Sequence, residues 1–283
     1  MKNRGLQGLG AGLSLMLSFA VQAETFVDYM FTTTNGTVII TGYGGYGGVV
    51  SIPDTINGLP VAGIGKSSFF RCVSLTSVTI SSNVTNIGEG AFSDCTRLTR
   101  VTFPGSVTHI GEQAFFKCGL TNIVFPDSVT MIGKEVFSTC TNLTSVTIPD
   151  HITRIEDGAF SGCTKLTNVT FSSNITHIGD SVFAKCTGLP RVTIPDGVPR
   201  IGSWLFSGCT SLTNVVVPGS VTSIGDGAFY ECKSLVGVYF KGNAPGFGRN
   251  IFLYSNRATV YYLPGTKRWD VKFGDQLTKI WKL

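Results

Sequence analysis

The sequence predicts a solenoid, a stack of short coils sharing one continuous core. Two observations carry this. Eight cysteines, Cys72, Cys95, Cys118, Cys140, Cys163, Cys186, Cys209 and Cys232, recur every 23 residues with a single interval of 22. Around each, the same apolar residues return, as in Leu143, Val146, Ile148, Ile152, Ile155, Ala159 and Phe160 before Cys163. Such regularity marks a repeat architecture: no unit closes a core alone, and each buries its apolar side against its neighbours.

Within a unit the apolar period changes. Val146 and Ile148 alternate with Ser145 and Thr147. β-Branched residues at period two predict a strand. Pro149 ends it at a point where no ladder donor is needed. A second short extended piece is expected around Ile152 and Ile155. The stretch from Glu156 to Cys163 is too short for a full helix and is expected to form one helical or 3₁₀ turn. Stacked at the ~4.8 Å spacing of parallel strands, like positions become columns. One holds phenylalanines from Phe92 to Phe229, another isoleucines from Ile87 to Ile224. The 22-residue interval falls in the turn after Cys118, where a deletion is cheap.

These repeats resemble the BspA-like family of bacterial leucine-rich repeats over about Ile52 to Phe240. The resemblance implies a leucine-rich repeat solenoid: a curved right-handed coil with a parallel β-sheet on the concave face. Short helical or 3₁₀ turns are expected on the other side, with a cap at each end. It also implies a secreted or cell-surface protein, some members of the family acting as adhesins.

Residues 1–23 read as a Sec-type signal peptide. Lys2 and Arg4 precede an apolar stretch from Leu6 to Ala20, and Val21-Gln22-Ala23 offers a small-residue site with cleavage after Ala23. Export to the cell surface or medium is the expectation. No cysteine follows the cut, which argues against a lipid anchor. No later segment reaches the ~20 apolar residues of a membrane span. Removing Lys2 and Arg4 leaves 20 basic and 17 acidic residues, a net of +3. That is too weak to imply nucleic-acid or membrane binding. The remaining chain divides into an N-terminal β cap (24–48), a degenerate first repeat with an insertion (49–74), the regular repeats (75–240) and a C-terminal cap (241–283). The run GYGGYGG from Gly42 to Gly48 reads as a turn, since a phosphate cradle requires a helix to follow it.

Catalysis lacks a constellation. A triad needs nucleophile, base and orienting group at one point, whereas the hydroxyls here repeat and no singular histidine stands beside one. The cysteines point inward in register, and free cysteine packs as a small hydrophobe. A reduced, buried ladder is therefore expected, with cross-links between neighbouring coils as the alternative. His109 and His177 lie three repeats apart, ~15 Å by the strand spacing, and His151 occupies another column. All three are read as surface residues, and no metal or other cofactor is expected.

The side chains facing out of the main sheet should be Ser77, Arg100, Asn122, Ser145, Asn168, Arg191 and Asn214, beside a column rich in threonine. A second, mildly basic stripe holds His109, Met131, Arg154, His177 and Arg200. Arg100, Arg191, Phe116, Trp204 and Tyr230 depart from the repeat consensus, and exposed Arg and aromatic residues are preferred contact anchors. Arg100, Asn122, Ser145, Asn168, Arg191, Asn214 and Trp204 are the candidate partner-binding residues. The functional expectation is a monomeric, non-catalytic scaffold that binds an extracellular protein or polysaccharide. The alternative is a self-associating structural component of an envelope or extracellular layer.

Overall fold

The computed structural model describes residues 24–282. The proposed signal peptide lies outside them. Strands such as Ser145–Thr147 and Asn168–Thr170 pair in parallel and in register, Val146 opposite Val169. The second short strands pair likewise, with Met131 opposite Arg154 and Arg154 opposite His177. Like residues therefore lie above like residues, and the columns close the core. Phe92, Phe115, Phe137, Phe160, Phe183, Phe206 and Phe229 are all buried. Their rings stack with centroids 5.2 to 5.9 Å apart. Each ring thus buries both faces against its neighbours, the main apolar gain of the stack.

The helical or 3₁₀ turns are not present. Among the described residues there is no helix. The backbone of Glu156 to Cys163 explains why. Gly158 and Gly162 take φ of 63° and 74°, which interrupts any right-handed helical run. Only alternate N–H groups then bond within the turn, Ala159 to Glu156, Ser161 to Gly158 and Cys163 to Phe160. The others, on Gly158, Phe160 and Gly162, donate to Asp180, Val182 and Ala184 of the next coil. The turn face is thus a second ladder between coils. Most coils place non-glycine residues at these left-handed positions, for example Gln113, Lys117, Glu135 and Thr139. No glycine pattern in the sequence marks the geometry.

The thiols are free and serve this turn. Seven of them, from Cys95 to Cys232, donate to the carbonyl of a phenylalanine one coil back, as Cys163 Sγ does to Phe137 O at 3.3 Å. That carbonyl already accepts the Cys140 N–H, so the thiol fills its second lone pair. Cys72 differs from the expectation of a wholly buried ladder: it sits at the end of the column and is half-buried.

The stack extends beyond the regular repeats in both directions. Tyr43 stacks on Phe69 and Phe69 on Phe92. At the other end Phe252 stacks on Phe229, and Thr259–Tyr262 pairs in parallel with Gly237–Phe240. Ser255 stands 23 residues after Cys232, and its Oγ donates to Phe229 O at 2.6 Å, as a thiol does elsewhere. The N-terminal edge is covered by the antiparallel strands Glu24–Phe26 and Tyr29–Thr34. The C-terminal edge carries the hairpin of Lys272–Phe273 and Gln276–Ile280.

Candidate binding surface

The main sheet is not continuous, and its interruptions make the candidate site. One column, at the end of each main strand, holds Ile80, Phe103, Phe125, Ile148, Phe171 and Ile194. Where it carries isoleucine, the backbone N–H bonds to the next coil: Ile80 to Thr102, Ile148 to Thr170, Ile194 to Val216. Phe103, Phe125 and Phe171 make no such bond. The extra ring volume has an evident outlet. Each of these three meets the next ring of the phenylalanine column edge-on, at 5.6 to 5.9 Å. Phe240 does not follow the rule, since its strand still pairs with Thr259–Tyr262.

After Phe103 the next coil forms no main strand at all. There the Asn122 side chain takes over: its Oδ1 accepts the Ile123 N–H at 2.8 Å, a local bond that competes with the ladder. Two clefts result. The first, about 450 Å³, lies between Arg100–Phe103 and Asn122–Pro126. The second, about 500 Å³, lies between Asn168–Ser173 and Arg191–Asp196, with Lys241 at its rim.

Four of the seven sequence-derived candidates thus meet in pairs, Arg100 with Asn122 and Asn168 with Arg191. Ser145 lies on the paired strand between them, and Asn214 on the paired strand Asn214–Val217, where its Nδ2 donates to Thr213 Oγ1. Trp204 stands on the turn side, away from both clefts. Arg100 and Arg191 are exposed and, among the described residues, form no ion pair. The second stripe is different. Arg154 pairs with Glu156 and Arg200 with Asp180, both at 2.9 Å, so its basic character is largely neutralised. The cleft-lining aromatics Phe103 and Phe171 were not among the candidates; their replacement of isoleucine was the signal.

His109 is exposed, but His151 departs from the surface reading. It is half-buried, its Nε2 has no partner, and its Nδ1 lies 3.7 Å from Asp127. Among the described residues no three His, Cys, Asp or Glu side chains group as metal ligands. No helix there is long and apolar enough to cross a membrane.

A family model described as a BspA type leucine rich repeat region matches residues 62–150 and 130–259. The chain belongs to the BspA-type leucine-rich repeat family. Its fold is similar to that of a leucine-rich repeat protein from Bacteroides ovatus, at 28% identity and a TM-score of 0.67 over 93% of this chain and 76% of the other. A leucine-rich cell surface protein from Faecalibacterium prausnitzii is 26% identical, with a TM-score of 0.52 over 87% and 96% of the two chains. Comparison with curated proteins finds no match. This leucine-rich repeat protein is a solenoid whose repeats contact only their neighbours in the stack.

Proposed function

We propose that this protein is an exported scaffold that grips an extracellular protein partner on its main sheet face. The supporting observation is the pair of clefts, each of which holds an unpaired arginine, an asparagine amide, threonine hydroxyls and a phenylalanine edge. Unpaired arginines beside apolar walls are strong anchors, because their donors form charge-assisted bonds in a partly dry setting. The clefts lie three coils apart, ~14 Å at the parallel-strand spacing. A partner spanning both gains from the second contact as an intramolecular one. Export rests on the segment 1–23 and on the cell-surface relative. The proposed mature chain starts at Glu24 and keeps the division into caps at 24–48 and 241–283, a first degenerate repeat at 49–74 and repeats at 75–240.

The test is capture of surface or secreted proteins by the mature chain, beside a glycan array. A saturable protein ligand lost in the Arg100→Ala/Arg191→Ala double variant supports the proposal. A ligand indifferent to both changes overturns the site. Concentration-dependent self-assembly with no ligand favours the structural-layer alternative.

A further inference from the structure

A second surface, independent of the sheet clefts, lies at the C-terminal end of the turn face. Here the hairpin turn at Gly274-Asp275 folds against the last coil and leaves a notch of about 350 Å³, within the range of small-ligand sites. Gly274 is what allows the approach: a Cβ there would collide with Ile251. The notch is lined by three amides, Asn250, Asn256 and Gln276, with Asp275 and Lys272. Among the described residues none of these five side chains makes a hydrogen bond or ion pair, although most other turn carboxylates are engaged, as Asp226 is by the Arg249 N–H.

The apolar part of the notch is aromatic and open. Phe247 is 50% exposed and Tyr254 53%. Tyr254 also begins a line of rings leading out along the turns. It meets Tyr230 edge-on at 5.4 Å, and Tyr230 meets Trp204 at 5.6 Å. Trp204 is held in place, because its ring lies over Gly227, where a Cβ would strike it. Yet it remains 41% exposed. In other coils the columns of Trp204 and Tyr254 carry residues such as Ser181, Gly158, Lys185 and Gly208, so the repeat does not require aromatics here.

We propose that this notch and its aromatic line bind a neutral oligosaccharide. The chemistry selects it. Amides and a carboxylate offer paired donors and acceptors for neighbouring hydroxyls. The half-exposed rings of Phe247 and Tyr254 suit the C–H faces of a pyranose, the amphipathic counterpart of an aromatic side chain. One Lys and one Asp leave the notch without net charge, which disfavours an anionic ligand. A peptide strand has little to pair with, since Gly246–Phe247 is only two residues long.

The probes are neutral hexasaccharides of glucose, mannose, galactose and N-acetylglucosamine, titrated against the full mature chain. Binding is read from tryptophan fluorescence and saturation-transfer NMR. At least one hexasaccharide should bind, with affinity falling about tenfold or more in Tyr254→Ala and in Gln276→Ala, as expected for anchor residues. The Arg100→Ala/Arg191→Ala variant should bind it unchanged, which keeps this outcome separate from that of the sheet-face proposal. Unaltered melting temperatures exclude misfolding, and Tyr254→Phe should retain binding. No binding by any hexasaccharide overturns the proposal. So does binding indifferent to Tyr254 and Gln276, or a notch that takes an uncharged peptide in preference to sugar.

Discussion

Two adjacent coils, one ending its main strand in Ile148 and the next in Phe171, bury the same columns yet present different surfaces. The first passes its Ile148 N–H to Thr170, and the two coils are joined as a sheet. The second makes no such bond, and the cleft beside Arg191 opens there. Inside, nothing comparable happens: Phe160 stacks on Phe183 at 5.9 Å, as Phe183 does on Phe206. The difference teaches that the interior columns and the turn ladder hold the stack together. The sheet face is therefore free to lose bonds and gain shape.

The largest effect that would sharpen this comparison is alkaline unfolding. Burial raises the Cys163 and Cys232 thiols from 9.0 to about 12. Thiols raised in the folded state favour folding below pH 9 and lose that contribution as pH climbs towards 12, because the unfolded chain ionises first. A pH series of melts should therefore show steep loss of stability above pH 9, in one transition spanning both kinds of coil. Separate opening of the Phe103, Phe125 and Phe171 coils would mean that the sheet bonds matter more than the columns.

Next in size is the core itself. Phe160→Ala should cost about 3–5 kcal/mol in chemical denaturation. Phe183→Ala should cost more by about 0.5–1.5 kcal/mol, because it also loses its edge contact with Phe171. Equal costs would show that the Phe171 ring is not seated as described. The smallest change is the most direct one. Phe171→Ile should restore the bond to Thr193 and slow hydrogen exchange at residue 171, with stability shifting by about 1 kcal/mol or less. It should also narrow the second cleft and weaken any ligand held by Arg191. Exchange as fast as in the parent would break the link between ring size and ladder.

Much of this is legible in the sequence alone. The 23-residue period placed Phe160, Ile155 and Cys163 in the core, and the alternation of Ser145, Val146 and Thr147 located the outward face. Even the continuation past Phe240 left a trace, as Ser255 and Ala258 stand 23 residues after Cys232 and Leu235. The helical turn was misread because short apolar runs do not distinguish a helical turn from alternating turn bonds. Left-handed residues such as Glu135 and Lys185 carry no glycine to reveal them.

The periodic sequence by itself determined the stack, since identical units in register have only one way to bury their apolar columns. Which polar groups stay available was decided by the tertiary structure. Arg200 is engaged by Asp180, twenty residues earlier and one coil away, whereas Arg100 has no such neighbour. Ring size at Phe103 and Phe171 takes effect only in the folded stack, where each ring meets the phenylalanine column edge-on and the bond to the next coil is missing. A repeat specifies its interior locally, but its openings depend on contacts between coils that no single unit contains.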